Sequence, residues 1–267
     1  MPELPEVEVI KGKLQLRTGG RELKGVEPVW AKFGNLSWDE VVGRRVRRWV
    51  RRGKALFLDV GGPQVVRFHM RLEGRFFFGE GAFEELRHVY LRMDFEGVEP
   101  LYFGDPRKLA TVEIGSPSDL LDPEGGGVEP LTDEFGLDLL EDLASRFPGR
   151  KVKSLLMDQS LISGIGNTYA DEILFRAGVM PDRRMRELSE EELGRVLESA
   201  KGVLRRALEL GGMSEYTRLW RGDEGGRFDA EIAVHGRKGL PCPGCGGSVE
   251  RMTIDGRGTY YCRSCQR

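Results

Sequence analysis

The sequence predicts an α+β protein with a terminal helix and a β-sandwich or barrel, then a helical region, and finally a cysteine-bearing β-hairpin. Three observations lead to this fold class. Short β-rich runs follow one another about ten residues apart before residue 115, which is typical of antiparallel sandwiches and barrels. Helical periodicity prevails after residue 130. All four cysteines lie in the last 26 residues, as two CxxC pairs.

The first half of the chain predicts the terminal helix and the sheets. Apolar Leu4, Val7, Ile10 and Leu14 recur three and four residues apart, so we predict a helix that ends before Gly19 and Gly20. The predicted strands, separated by Gly, Pro and acidic turns, are 55–60, 65–70, 75–78, 89–95, 101–103 and 110–114.

A linker divides the chain. Residues 115–130 are rich in Gly, Pro, Ser and Asp, which is typical of a connecting segment. We therefore predict an N-terminal domain over 1–114, a helical domain over 131–240 and a cysteine-bearing domain over 241–267.

A glycine-bearing turn between two helices is the first feature of the helical domain. We predict one helix from Lys153, a turn over 160–166 and a second helix that Asn167 caps. Gly164 and Gly166 would let a phosphate approach the exposed amides there, with Lys153 adding positive charge. A plain helical hairpin with a flexible turn is the alternative.

A longer helix follows. Ser189 and Glu192 have the spacing of a capping box, and an apolar stripe from Leu193 to Leu208 predicts an amphipathic helix that Gly211 ends. Residues 213–229 have no clear period and contain three glycines, so we predict a mobile loop there.

The composition supports a globular chain with a buried core. Of 267 residues, 39% are hydrophobic and 31% are charged, which excludes a disordered tail, a collagen and a coiled coil. No run of about 18 apolar residues is present, and the acidic start MPELPEVEVI lacks the positive charge of a signal peptide. We therefore expect no membrane contact and a location in the cytosol.

Charge is segregated along the chain, although the formal net charge is only −2. Seven basic residues and no acid lie between Gly43 and Lys54, whereas 17 acidic and four basic residues lie between Glu80 and Asp142. Such segregation is typical of a protein with one side that faces a polyanion. A solvated basic strand edge is the alternative interpretation of the basic run.

The cysteine spacing predicts one structural zinc ion. The four residues are Cys242, Cys245, Cys262 and Cys265. Two CxxC pairs separated by 16 residues fit a closed tetrahedral site, in which four thiolates leave no position for substrate. Val249–Tyr261 predicts a hairpin with Arg257 near its tip, where a guanidinium could grip a phosphate. A redox-active dithiol pair or four free thiols are the alternatives.

Proline at position 2 is a candidate nucleophile. Removal of Met1 would leave Pro2 as a free secondary amine, which can attack an aldehyde-like carbon and form an iminium. Because an α-amine titrates at roughly 7.7 to 8.0, a neutral fraction exists at working pH. Glu3 is within reach to act as acid or base. Ordinary helix-start chemistry is the alternative.

Four motifs stand in a characteristic order: MPELPEVE at the start, RRGK at 51–54, DQSLISGIGNTYADEILF at 158–175 and GRGTYYCRSCQ at 256–266. From end to end, the chain resembles the Fpg/Nei family of DNA glycosylases. Leu4 in PELPE makes the chain similar to the formamidopyrimidine (8-oxoguanine) branch of this family. The resemblance implies an N-terminal catalytic β-sandwich domain, a helical helix-two-turn-helix DNA-binding domain and a C-terminal zinc finger.

The resemblance also implies an activity. The enzyme would excise oxidised purines (8-oxoguanine and formamidopyrimidines) from duplex DNA in base excision repair, and would cut the strand by β,δ-elimination as an AP lyase. Pro2 would attack C1′, Glu3 would donate and shuttle protons, and Glu6 would support the terminal helix. Lys54, Asn167 and Arg257 would hold phosphates. The segments that fill the void left by a flipped nucleotide contain His69, Leu72, Arg107 and Leu109.

Three positions depart from the pattern of this branch. Leu72 stands where Met is usual, Leu109 stands where Phe is usual, and Glu215 places a carboxylate in the lesion-capping loop. An endonuclease VIII-like preference for oxidised pyrimidines is therefore one alternative, and a non-catalytic zinc-containing DNA-binding protein is another. We expect damaged double-stranded DNA as the partner, one structural Zn²⁺ and a monomer.

Overall fold

A computed structural model describes residues 1–121 and 126–267. The described residues form two compact units. The first contains the chain before the gap together with Leu210–Arg227, and the second contains the chain after the gap up to Glu209 together with Phe228–Arg267. The predicted linker therefore lies partly outside the described residues, at 122–125.

Strands predominate before residue 116 and helices after it, apart from the C-terminal hairpin. The α-helices are α1 (Leu4–Thr18), α2 (Ala82–Leu86), α3 (Pro117–Leu120), α4 (Leu137–Arg146), α5 (Val152–Leu156), α6 (Asn167–Ala177), α7 (Glu190–Glu209) and α8 (Ser214–Thr217). The strands are β1 (Leu23–Pro28), β2 (Arg48–Arg52), β3 (Ala55–Asp59), β4 (Val65–His69), β5 (Arg75–Phe78), β6 (Val89–Phe95), β7 (Leu101–Gly104), β8 (Thr111–Gly115), β9 (Glu250–Ile254) and β10 (Arg257–Tyr261). Short 3₁₀ turns lie at Ala31–Phe33, Trp38–Glu40, Met185–Glu187 and Phe228–Glu231.

Two antiparallel four-stranded sheets build the first unit, in the orders β1-β6-β7-β5 and β2-β3-β4-β8. Their inner faces share one core, because Phe68 of one sheet packs against Phe76 and Phe103 of the other with ring centroids 5.1 and 5.2 Å apart. The predicted β-sandwich is thereby confirmed.

Helix α1 belongs to the same core. Its apolar stripe is fully buried, and it ends at Thr18, directly before Gly19 as predicted. The indole N–H of Trp49 donates to the Thr18 hydroxyl at 2.8 Å, and the Trp49 backbone N–H donates to the Gln15 side-chain oxygen at 2.8 Å. These two bonds fix α1 against strand β2.

Two strands were not among those predicted from the sequence. Strand β1 contains a glycine and a proline, and strand β2 lies within the basic run. Strand β2 is the edge of its sheet, where arginines can reach solvent or acids. Its Arg51 pairs with Glu8 at 2.9 Å and its Arg48 pairs with Asp59 at 3.1 Å. Part of the basic run, Arg48–Arg52, is therefore an edge strand with partly compensated charge.

The prediction of a mobile loop over 213–229 is wrong in its first half. Residues 214–217 form α8, and Leu219 is fully buried in the core of the sandwich. The Asp223 carboxylate accepts from Lys13 at 2.6 Å and from the backbone N–H of Leu219 at 2.9 Å. Sequence periodicity could not show that this segment is ordered, because Lys13, the partner of Asp223, lies about 200 residues away along the chain.

The second unit places α5, two successive turns and α6 in sequence, and α6 packs against α7. The capping box of α7 is confirmed, since Ser189 and Glu192 exchange backbone-to-side-chain bonds of 2.9 and 3.2 Å. The predicted cap of α6 is wrong by one position. Gly166 is the N-cap, and Asn167 is the first helical residue, because its side chain is engaged elsewhere.

The C-terminal hairpin pairs β9 with β10 in the predicted place. Its turn residues Asp255 and Gly256 both have positive φ, of 48° and 74°, as a two-residue hairpin turn requires. Arg257 opens β10 opposite Ile254. Across residues 1–121 and 126–267, none of the helices combines the length and apolar character that crossing a membrane needs.

Candidate functional site

The start of α1 gathers the residues predicted to carry the chemistry. Pro2 and Glu3 are buried, and Glu3 is the N-cap of the helix. Glu3 and Glu6 form a reciprocal capping box, in which the Glu6 carboxylate accepts the Glu3 backbone N–H at 2.9 Å. Glu6 is fully buried. This box fixes the direction in which the first residues leave the helix.

Glu6 also holds the returning segment. Its second carboxylate oxygen accepts from the backbone N–H of Met213 at 3.2 Å, and the terminal amine of Met1 donates to the Tyr216 hydroxyl. A single buried carboxylate thus ties the start of the chain to the 213–217 segment. The role of Glu6 as support for the terminal helix agrees with this geometry.

The terminal amine lies in an environment that favours its neutral form. Burial lowers the pKa of the Met1 amine below its ordinary value, while the carboxylates of Glu3, Glu215 and Glu6 oppose that shift. The Lys54 ammonium lowers the same pKa further. Lys54 lies in the turn between β2 and β3, so this turn brings a positive charge close to the chain terminus.

His69 is the last residue of strand β4 and lies close to several positive charges, including that of Lys54. Burial lowers the pKa of His69 to about 4, and Arg71, Arg67 and Lys54 add to the effect. Its Nδ1 accepts the backbone N–H of Arg71 at 3.1 Å, which leaves the ring proton on Nε2. The ring is therefore a neutral Nε2–H donor at physiological pH.

The two predicted wedge residues flank one cavity. Leu72 and Leu109 are large apolar side chains that are 37% and 47% exposed. With Met1, Arg71 and Thr111 they line a cavity of about 470 Å³. The structure thus brings the segments that contain Leu72 and Leu109 together with the chain terminus. Exposed apolar side chains beside a cavity are suited to contact an unstacked base.

The Leu109 loop is held by a buried carboxylate. Asp105 is fully buried and accepts the backbone N–H groups of Arg107, Leu109 and Ala110 at 2.9, 2.8 and 2.8 Å. Lys108 within this loop has a φ of 59°, a left-handed conformation that such bonds stabilise. The loop therefore presents Leu109 in a fixed position.

In the second unit, Asn167 is bonded to the β9–β10 hairpin one residue away from Arg257. The Asn167 Nδ2 group donates to the carbonyl of Gly258 at 2.9 Å. Its second Nδ2 hydrogen has no acceptor among the described residues. Arg257 is exposed, and no described residue pairs with its guanidinium. Both groups are available to an external anion.

Lys153 is not such a group, and its predicted role as a direct DNA contact is corrected. Its side chain is 1% exposed. Its ammonium lies 2.7 Å from Asp171, 2.8 Å from the Asn167 side-chain oxygen and 2.7 Å from the Thr259 hydroxyl. Two hydrogen bonds and one ion pair therefore engage the Lys153 ammonium inside the protein.

The glycine-bearing turn is also less open than predicted. Gly164 is buried and its backbone N–H donates to the Gln159 side-chain oxygen at 2.9 Å, while the Gln159 amide donates to Ile165 at 2.8 Å. Gln159 therefore holds the turn from within, and the Gly164 amide is not offered to a phosphate.

The four cysteines fit a zinc ion. The Sγ atoms of Cys242 and Cys265 are 3.8 Å apart, those of Cys245 and Cys262 are 3.5 Å apart, and all four lie within 4.8 Å of one another. A ZnS₄ tetrahedron with bonds of about 2.3 Å has edges of about 3.8 Å. The set is closed by protein ligands, so the metal holds the hairpin and takes no part in the reaction.

Three contributors were not predicted from the sequence: Tyr216, Asp105 and Asp171. The acceptor role of Asp105 has a local signal, since an Asp before a proline often accepts amides a few residues onward. Tyr216 and Asp171 have no such signal, because their partners, Met1 and Lys153, are set by the tertiary fold.

Three family models match the chain in order. Residues 1–112 match the formamidopyrimidine-DNA glycosylase N-terminal domain, and residues 127–218 match the formamidopyrimidine-DNA glycosylase H2TH domain. Residues 239–267 match the zinc finger found in FPG and IleRS.

Whole-length relatives give the same result. The formamidopyrimidine-DNA glycosylase of Thermus thermophilus is 38% identical over 283 residues, which cover all of this chain and 98% of the relative. The Lactococcus lactis Fpg in complex with abasic-site DNA superposes with a TM-score of 0.89 at 30% identity, over 99% of each chain. The same Fpg with N7-benzyl-Fapy-dG DNA gives 0.89 at 30% identity over both whole chains. The chain therefore belongs to the formamidopyrimidine-DNA glycosylase family and is a DNA glycosylase of DNA repair.

Proposed function

We propose that this glycosylase excises oxidised purines from duplex DNA and then cuts the strand by β,δ-elimination through a Schiff base at Pro2. One observation carries the proposal: the chain terminus, two buried carboxylates and two exposed apolar side chains converge around the start of α1. Damaged double-stranded DNA is the proposed partner of a cytosolic monomer. The relatives crystallised with abasic-site and Fapy-dG DNA support the substrate class.

The first step needs a free secondary amine at Pro2, and therefore removal of Met1. A Pro2 amine exposed by removal of Met1 would lie in the same buried surroundings, which lower the pKa of the Met1 amine and so favour the neutral, nucleophilic form. It attacks C1′ of the damaged nucleotide, and the base leaves with a proton. Glu3, buried beside Pro2, is the proposed donor of protons to the departing groups.

The resulting iminium drives strand cleavage. It forms when the adduct loses the Pro2 N–H proton and O4′ takes up a proton, which breaks the C1′–O4′ bond and opens the sugar ring. The positive charge of the iminium makes the C2′ hydrogen acidic, so loss of that proton expels the 3′ phosphate, and loss of the C4′ proton then expels the 5′ phosphate. Glu3 and Glu6 are the buried carboxylates at the helix start, and Glu6 is committed to two backbone N–H groups. We therefore assign the proton transfers to Glu3 and a positioning role to Glu6.

The wedge and the phosphate contacts make the nucleotide accessible. Leu72 and Leu109 would fill the space that the flipped nucleotide leaves, with His69 and Arg107 beside them. Lys54, Asn167 and Arg257 are the proposed phosphate contacts. Because such contacts release counterions, we expect affinity for duplex DNA to fall steeply between roughly 50 and 200 mM salt.

Borohydride trapping tests this function. Protein of verified N-terminal mass is incubated with duplexes that contain 8-oxoguanine, a formamidopyrimidine, thymine glycol or an abasic site, and the covalent adducts are quantified. We expect more covalent adduct and more strand cleavage with the duplexes that contain purine lesions than with the thymine glycol duplex. Pro2→Gly should abolish trapping, whereas Pro63→Gly in an exposed turn should leave it unchanged.

The outcomes separate the alternatives. Preferential action on thymine glycol would favour the endonuclease VIII-like activity. Tight DNA binding with no adduct on any duplex would favour the non-catalytic DNA-binding protein. Undiminished incision by protein that retains Met1 would refute Pro2 as the nucleophile.

A further inference from the structure

The buried ammonium of Lys153 has three partners within the second unit. Its ammonium is 1% exposed and has three acceptors on two elements: Asp171 and Asn167 on α6, and Thr259 on β10. One acceptor is a carboxylate, so the charge is balanced inside the protein. A phosphate approaching from solvent could not displace two buried hydrogen bonds and a buried ion pair without removing the cation that faces the Asp171 carboxylate.

Two of these acceptors lead directly to the proposed phosphate contacts. Lys153 binds the Asn167 side-chain oxygen, which turns the amide so that Nδ2 faces the carbonyl of Gly258. The Thr259 hydroxyl, which receives the second bond, donates in turn to the backbone carbonyl of Arg257 at 3.3 Å.

The third acceptor, Asp171, also binds the β9–β10 hairpin. Asp171 is buried beside Lys153, and its other carboxylate oxygen accepts the backbone N–H of Tyr260 at 3.2 Å and contacts His235 Nδ1 at 2.7 Å. Three consecutive hairpin residues, Gly258–Tyr260, are therefore bonded to α6 or to Lys153.

We propose that Lys153 is a positioning residue for this glycosylase, which orients the Asn167 amide and fixes the register of the hairpin that carries Arg257. The inference rests on the proposed function, because it takes Asn167 and Arg257 as the phosphate contacts. Lysine suits the position because it alone places three donor hydrogens on one atom without an acceptor.

A double-mutant cycle tests the proposal without requiring catalysis. Affinity for a duplex with a tetrahydrofuran abasic analogue is measured for Lys153→Met in the wild-type protein and in the Asn167→Ala/Arg257→Ala protein. Lys201→Met, which removes the same charge from a partly exposed site on α7, is the matched control. We expect Lys153→Met to weaken binding by about tenfold in wild type, and by less than about twofold once both contacts are gone.

A second variant guards against loss of folding. Thr259→Val keeps the shape and the buried charge pair but removes the hydroxyl that links Lys153 to Arg257. We expect Thr259→Val to weaken binding by about threefold in the wild-type protein. In the Asn167→Ala/Arg257→Ala protein, we expect this effect on binding to disappear. Zinc content and the thermal transition are measured for every variant. If Lys153→Met loses zinc, the binding data for Thr259→Val alone test the proposal.

Two results would overturn the proposal. If Lys153→Met and Thr259→Val weaken binding equally in both backgrounds, the lysine acts independently of Asn167 and Arg257. If neither variant differs from Lys201→Met, the network has no role in DNA binding. Failure of the proposed function is distinguishable, because it would appear as absent borohydride trapping by the wild-type protein.

Discussion

Replacing Asp105 with asparagine tests whether a buried carboxylate holds the Leu109 loop in place. The carboxylate accepts two backbone N–H groups on one oxygen and a third on the other. Asparagine retains the shape but only one acceptor oxygen, so it must face at least one N–H with its own NH₂ group.

The magnitude follows from these three bonds. A bond to a charged acceptor contributes about 2 kcal/mol and one to a neutral acceptor about 1 kcal/mol. One bond lost and two weakened sum to about 4 kcal/mol, and full burial of Asp105 means that water does not screen the loss. Part of this cost is avoided when the loop relaxes, so we expect the opening free energy of the loop to fall by roughly 2 to 4 kcal/mol.

Hydrogen exchange read by mass spectrometry measures this opening directly. Exchange at the Leu109 and Ala110 amides should be faster by about two orders of magnitude in Asp105→Asn, since roughly 1.4 kcal/mol corresponds to a factor of ten. Incision of a lesion duplex should fall by about tenfold or more, because the wedge loses its fixed position. Asp94→Asn, on the partly exposed carboxylate paired with Arg92, is the control and should change neither. Unchanged exchange at both amides in Asp105→Asn would refute the reasoning.

Three further predictions concern the metal, a histidine and the wedge. Removal of zinc by chelation or by Cys245→Ser should release the hairpin that presents Arg257 and lower affinity for a damaged duplex by at least about tenfold in a mobility-shift titration. His69 has a pKa of about 4, below its ordinary value near 6.5, so its neutral form stabilises the fold fully above about pH 6.5, and this stability is lost as the pH falls to about 4. Wild type should therefore lose roughly 1 to 2 kcal/mol more stability than His69→Gln between pH 7 and 4.5 in urea titrations. Leu109→Phe, which restores an aromatic wedge on the exposed loop, should raise the incision rate about threefold and leave binding to undamaged duplex unchanged.

Each of these predictions has an opposing result. Full DNA affinity in metal-free protein would show that the hairpin holds its shape without zinc. Parallel pH–stability curves for wild type and His69→Gln would mean that the imidazole titrates normally in the folded protein. Slower incision by Leu109→Phe, with unchanged stability, would indicate that the cavity beside Leu72 has no room for a ring.

Local patterns in the sequence were enough to predict much of the fold. Helix α1 and the capping box of α7 depend on residues within a few positions of one another, and the zinc hairpin depends on two CxxC pairs 16 residues apart, so spacing identifies all three. Strand β2 was missed because its arginines mask the alternation, and on an edge strand those side chains can reach solvent or acids. The irregular composition of 213–229 concealed Leu219, which has a place in a distant core.

The candidate site shows the same division. The cysteines could be identified because their spacing defines a metal site, whereas Pro2 and Glu3 stay predictions that rest on their position at the start of the chain. Lys153 could not be placed correctly, because a lysine beside a glycine-bearing turn has the same sequence whether it faces DNA or three buried acceptors. Its acceptors at 167, 171 and 259 come together only in the folded unit. Burial of a charged group is thus a tertiary property that local patterns do not report.

The return of Leu210–Arg227 to the first unit constrains how the protein can be made. A ribosome releases β8 roughly a hundred residues before Leu219, so the sandwich lacks part of its core while the intervening helices emerge. A fragment that stops at residue 121 would likewise omit Tyr216 and the Met213 amide that binds Glu6. Completion of the sandwich must therefore wait for translation to pass residue 227, which leaves the packing around the start of α1 unfinished until late in synthesis.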